Sequence, residues 1–213
     1  MYPQSRLSAV GASLILLCAL PAVAARRPAP RSSRTHLASR GALHALRIAA
    51  GGAGASAKSI VVSKSAKTLT LMEGGVAVRT YPIAVGRSMD GAKQTAGDWR
   101  TPEGVYTVAG RQPASRFYLA LKISYPNVED AERGLRAGII TPAQADAIRR
   151  AEEAGALPPQ NTALGRDIEI HGGYRSDGSG IKGYTRGCMA LTNQMIREIY
   201  RWAPDGTVVI IRE

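Results

Sequence analysis

Beyond residue 25 this 213-residue chain has a single cysteine, Cys188, and beyond residue 44 a single histidine, His171. Those two counts exclude the usual staples of a small fold. One thiol cannot close an intrachain disulfide, and one thiol with one imidazole supplies only half the ligands of a structural zinc site. The chain must therefore be held by a buried core, and the ~155 residues from Lys58 onward are enough for one such domain.

The same scarcity bears on chemistry. Gly187 directly precedes Cys188, and His171 lies seventeen positions upstream in the run Ile170-His171-Gly172-Gly173. This pattern reads as a nucleophile and its base, because a thiol attacks as thiolate and a neighbouring imidazole generates one near neutral pH. The competing reading is a buried structural cysteine beside an unrelated surface histidine.

The N-terminus sets the compartment. Residues 1–25 read as a secretory signal, with Arg6 at the start, an apolar run from Leu7 to Leu20, and Ala22-Val23-Ala24 as a small-residue cleavage site. The alternative is retention as an N-terminal anchor, which Pro21 and the bare sufficiency of the span disfavour. Leu17 before Cys18 does not suit a lipid attachment site. In an exported protein, where cysteines normally form disulfides, a lone thiol marks a reactive group. Location in the periplasm or cell envelope is the expectation.

Charge is uneven. Of the 28 Lys and Arg, seven arginines precede Lys58 with no acidic residue among them, and the remaining 21 against 16 acids leave +5 of the chain's +12. Residues 26–57 are rich in Arg, Ala, Ser, Pro and Gly and read as a basic disordered linker suited to anionic envelope surfaces. The rest holds one Phe and no basic stripe interleaved with aromatics, so nucleic acid is not expected as a partner. Any membrane contact would come through the N-terminal segment, if uncleaved.

From residue 58 the pattern is mainly β with inserted helices. Short β-prone runs at 59–63, 69–72, 76–85, 105–109, 116–124, 168–171 and 207–211 predict strands, with Glu73-Gly74-Gly75 as a hairpin turn. Two helices are predicted over 128–137 and 142–154, with Thr141 as N-cap before Pro142 and Gly155 as the stop. They form an insert over 127–157, either a solvated hairpin or a lid on the thiol site. A third helix is expected over 193–202 with Thr192 as its cap.

The two motifs together, Ile170-His171-Gly172-Gly173 and Thr185-Arg186-Gly187-Cys188, resemble the signature of the L,D-transpeptidase catalytic domain, the YkuD-type fold. The resemblance extends over about residues 59–213. It takes in the opening strands, the loop Arg100-Thr101-Pro102-Glu103-Gly104-Val105-Tyr106 and the strand ending in Ser124-Tyr125-Pro126-Asn127. It implies a β-sandwich or barrel-like core with the cysteine and histidine in a cleft. Cys188 would be the nucleophile, His171 the general base and acid, and the Gly172 carbonyl the group orienting the imidazole. The amides of Gly187 and Cys188 would form an oxyanion hole, and Tyr184, Thr185 and Arg186 would line the substrate site. Arg186 has the plainer alternative of a solvated loop cation.

By the same resemblance the substrates are peptidoglycan stem peptides, a tetrapeptide donor with an amine or water as acceptor, and no cofactor or metal is required. One position departs from many relatives, which carry arginine two residues after the cysteine where this chain has Ala190. The form Cys-x-Ala-Leu-Thr-Asn is similar to a branch with some members that cleave peptidoglycan links. Hydrolysis by an L,D-carboxypeptidase or amidase is therefore the alternative to transpeptidation, and an inactive wall-binding module is a more distant one.

Overall fold

A computed structural model describes residues 57–178 and 180–213; the leader, and the basic linker apart from Ala57, lie outside the described residues. The opening strands alternate as a half-buried sheet must. In β1 (Lys58–Ser63) Ile60 and Val62 point inward, and in β2 (Thr68–Glu73) Leu69 and Leu71 do the same. Gly74 and Gly75 both take positive φ, 58° and 82°, as a tight two-residue hairpin turn demands. They lead into the exposed edge strand β3 (Val76–Pro82), which stops short of the predicted Val85 because after Ile83 the chain leaves β2 and Ala84 pairs with Ala190 instead.

The next strand is longer than the sequence suggests. β4 runs over Gly104–Ser115 through Pro113, its ladder interrupted by irregularities near Gly110 and Gln112. Its first half pairs with β8 (Val208–Arg212) and its second half with β5 (Tyr118–Ile123), so one bent strand serves two parts of the sheet. β6 (Glu169–Tyr174) and β7 (Met189–Thr192) complete the order β3-β2-β1-β8-β4-β5-β6-β7. β7 escaped the sequence reading because it is only four residues long.

The two ends of this sheet meet. Past Pro82 the chain stays extended, and Ala84 exchanges two 2.9 Å hydrogen bonds with Ala190 of β7. The sheet thus closes into a barrel-like body around one core that draws on every strand, β3 through Tyr81 alone, and on the helix α3 (Asn193–Trp202), through Ile196 and Ile199. Thr192 caps α3, accepting from the Met195 N–H at 3.3 Å.

Helices α1 (Val128–Arg136) and α2 (Pro142–Glu153) form the insert, each opened by a capping box, Asn127 with Asp130 and Thr141 with Gln144. They have a small core of their own, Ala131, Ile140, Ala145, Ile148 and Leu164. Buried Asp130 ties α1 to the sheet by accepting from Tyr106 Oη at 2.9 Å, and it is paired within the helix by Arg133 at 2.6 Å. The link from the insert to the thiol runs through the segment after the helices: Gln160 accepts from the Asp167 N–H at 2.8 Å while donating to the carbonyls of Tyr125 and Pro158. Among the described residues no helix is long and apolar enough to cross a membrane.

Leu164 is fully buried at the centre of the insert core. Leu164→Ala should therefore cost about 2–5 kcal/mol in global stability, measured by urea unfolding. A loss under ~0.5 kcal/mol would mean that the insert unfolds independently.

Candidate active site

Cys188 lies one residue ahead of β7, and His171 is the third residue of β6. The two strands run parallel with Ile170 opposite Met189 and His171 opposite Ala190. Side chains alternate along a strand, so Cys188, two residues before Ala190, continues onto the sheet side that His171 occupies.

Glycines make this approach possible. A Cβ on Gly172 would sit 2.8 Å from Asn193 Oδ1 and from Ile196 Cγ2 and 2.9 Å from the Phe117 carbonyl, so only glycine lets β6 pack here. Gly187 has φ +131°, and a Cβ there would meet the Arg100 carbonyl at 2.7 Å. The turn is braced by Thr185, which is buried. Its Oγ1 donates to the Cys188 carbonyl at 2.7 Å and accepts from the Gly187 N–H at 3.0 Å. Two expectations change as a result. The Gly187 amide already gives its hydrogen to Thr185, so it is not the oxyanion donor expected of it. The Thr185 hydroxyl is likewise spent inside the turn and does not face a ligand.

Neighbouring segments hold this turn from outside. Thr185 donates its N–H to Val85 at 2.9 Å and accepts from Arg87 at 3.1 Å, while Thr101 Oγ1 accepts from the Gly86 N–H at 2.9 Å. The role of Thr101 in the threonine-proline-glycine loop is thus to pin the strand that pins the cysteine turn. Tyr184 is half-exposed, with Lys67 Nζ 4.8 Å from its ring centroid and its carbonyl accepting from Tyr174 Oη at 2.7 Å. Arg186 is exposed and lies over Trp99 at 5.6 Å.

The imidazole is fixed. His171 is buried, and its Nδ1 lies 2.7 Å from the Gly172 carbonyl. A carbonyl can only accept, so Nδ1 carries the hydrogen and the neutral ring keeps Nε2 as its lone-pair nitrogen. Phe117 stacks on the ring with centroids 4.1 Å apart, and Tyr174 approaches edge-on at 6.0 Å. Sequence reasoning missed both; the one available signal was that Phe117 is the only phenylalanine in the chain. It also missed Asn193, which accepts from the Gly173 N–H at 2.8 Å and so secures the strand beyond the imidazole.

The sulfur is half-buried and donates to the Asp167 carbonyl at 3.3 Å; no hydrogen bond joins it to the imidazole among the described residues. Burial pushes the thiol up to about 12, with the nearby carboxylates of Glu169 and Asp167 adding to the rise and the Glu169 N–H opposing it. Burial pushes His171 below the ordinary imidazole value, and Arg116 adds to that, while the Gly172 carbonyl opposes it. Both shifts favour the uncharged pair over thiolate and imidazolium. At rest both groups are therefore held neutral, the thiol protonated and the imidazole in one defined tautomer. Among the described residues no three His, Cys, Asp or Glu side chains could share a metal ion.

A raised thiol pKa means that the thiolate fraction keeps climbing with pH up to that value. Alkylation of Cys188 by iodoacetamide should accelerate ~10-fold per pH unit from pH 7 to 10, followed by mass spectrometry of its peptide. A plateau near pH 7 would reveal a preformed thiolate and overturn the neutral-pair assignment. Gly172→Ala should lose about 1–3 kcal/mol in thermal unfolding and release the imidazole from its single tautomer, visible in ring 15N shifts. Unchanged shifts would show that the carbonyl does not hold the ring.

Residues 57–211 match the model of the YkuD family, the L,D-transpeptidase catalytic domain. YafK of Escherichia coli (strain K12), named provisionally as an L,D-transpeptidase, is 30% identical over 120 residues, 55% of this chain and 34% of that relative. The match thus spans about a third of the length of the curated relative. Among solved structures, the helical cell shape determining protein Pgp2 from Campylobacter jejuni is similar at 23% identity and a TM-score of 0.49, over 74% of this chain and 48% of that one. An L,D-transpeptidase from Mycobacterium smegmatis is similar at 15% identity and a TM-score of 0.46, over 74% and 59% of the two chains. With the family model taking in all but two of the residues from Ala57 onward, the chain belongs to the L,D-transpeptidase catalytic-domain family.

Proposed function

We propose that this chain is an exported L,D-transpeptidase that remodels the cell wall through a Cys188 thioester. The observation that carries the reading is the 2.7 Å contact between His171 Nδ1 and the Gly172 carbonyl, which leaves Nε2 as the ring's proton acceptor on the sheet side that Cys188 shares. A backbone acceptor serves as the third member here, fixing the ring without adding a carboxylate charge.

In the first step Cys188 Sγ attacks the carbonyl carbon of the third residue of a tetrapeptide stem. His171 takes the thiol proton and gives it to the departing amine, so a C–S bond forms, the C–N bond breaks and the terminal D-alanine leaves. With the Gly187 hydrogen already committed, the Cys188 amide is the oxyanion donor in this scheme. The thioester then passes its acyl group to an amine of a second stem, whose proton His171 accepts, and the thiol is restored. Because burial lowers the His171 pKa, the base stays deprotonated below the usual ~6.5 of an imidazole, and the acid limb of kcat/KM should fall on the acidic side of that value.

Incubating the full chain with defined tetrapeptide muropeptides and identifying products by mass spectrometry tests the reading. Dimers linked between third residues are expected. Tripeptide alone would assign hydrolysis instead, and no product would leave the wall-binding alternative. Cys188→Ala should lower turnover ~10³-fold or more, and His171→Ala ~10²- to 10⁴-fold. Normal turnover in either variant sinks the mechanism.

A further inference from the structure

The turn that carries the proposed nucleophile is bordered by a cationic cluster. Arg87 and Arg186 share the indole of Trp99, their guanidinium carbons 5.7 and 5.6 Å from the ring centroid. Neither arginine is ion-paired among the described residues. The nearby Asp98 carboxylate is consumed by the N–H groups of Gln94, Thr95 and Arg100 and by Lys93 at 2.8 Å. Two like charges beside one indole repel, and the planar N–H edge of a guanidinium matches a planar anion.

The platform is held in place by its surroundings. Trp99 has φ +59°, a conformation sparsely populated by a bulky residue, and its indole is one of the few large apolar side chains left exposed. Asp98 fixes the backbone on one side of it, and the Trp99 carbonyl accepts from the Ser88 N–H at 3.2 Å. The next residue but one on the Arg186 side is Cys188, and the Arg100 carbonyl lies against Gly187. The position two residues after the cysteine offers no cation, because Ala190 is fully buried with both backbone groups bonded to Ala84. Lys182 is neutralised by Asp177 at 2.7 Å.

We propose that Arg87, Trp99 and Arg186 form a carboxylate-binding subsite next to the Cys188 turn, reading a carboxylate of the donor peptide beside the scissile bond. The inference rests on the function proposed above and names the group that positions the donor. Two carboxylates of such a peptide have the required chemistry, the C-terminal one of the leaving residue and the side-chain one of the third residue.

Two readouts on the full chain separate this proposal from its premise. Iodoacetate and iodoacetamide are nearly the same size and differ in charge, so their rate ratio at the Cys188 peptide reports the local potential without any stem peptide. R87Q/R186Q should lower that ratio ~2- to 5-fold, while R87K/R186K, which keeps both charges, should hold it near the wild-type value. With tetrapeptide, R87Q/R186Q should raise KM ~10-fold with little change in kcat. Amidating the recognised carboxylate should make KM insensitive to the substitution, and amidating the other should not, which identifies the source. An unchanged reagent ratio, or an unchanged KM with every peptide, overturns the subsite. A shifted reagent ratio in a protein that turns over no tetrapeptide leaves an anion site standing and removes the stem-peptide reading instead.

Discussion

The parallel pairing of β6 with β7 is the contact on which everything at the thiol rests. It aligns the histidine strand with the cysteine turn, and Ala84 closes it from the far edge through its two hydrogen bonds to Ala190. Parallel neighbours need a crossover between them, and residues 175–188 supply it with glycines at 178, 180, 183 and 187 in positive φ. Remove the closure and Cys188 would sit at the free edge of a sheet, with no second segment to hold its turn. Two glycines set the tolerance of this junction, Gly172 against the Phe117 carbonyl and the side chains of α3 and Gly187 against the Arg100 carbonyl, because at each a single methyl group would force its neighbours apart.

Electrostatics at the junction favours restraint over readiness. A thiol pushed up to about 12 and an imidazole pushed down both resist charge separation where burial has removed water. The hydrogen bond from Sγ to the Asp167 carbonyl has the same sense, since a thiolate has no hydrogen to donate and would face an oxygen lone pair. The Glu169 N–H is the partner that would remain to it. In the proposed reaction the proton therefore moves in concert with attack. A thiol kept neutral until a carbonyl arrives is also less open to oxidation, because susceptibility follows thiolate character.

Much of the architecture was legible because local chemistry and tertiary structure agree. Thr141-Pro142 and Thr192 mark helix starts that the structure places at the same residues, and Glu73-Gly74-Gly75 turns where two consecutive positive φ values are needed. Disagreements arise where pairing overrides local pattern. β4 continues through Gly110 and Pro113 because β5 pairs with it across the bulges, and no window of its own sequence signals that. β7 has four residues and too little periodicity to read, yet it is the strand that Cys188 leads into.

Sequence by itself determined the reagents: one thiol, one imidazole outside the basic N-terminal region, and glycines at the places where backbones must touch. Residue identity carries that information locally, through reactivity and steric size. Only the tertiary structure decided which groups those reagents meet. The thiol faces Asp167 and Glu169, the imidazole is stacked on Phe117, the Gly187 hydrogen is committed to Thr185, and Arg87 joins Arg186 on Trp99 from about 100 residues away. Such contacts depend on sheet closure and loop register, which are properties of the whole chain, and no local spacing encodes them.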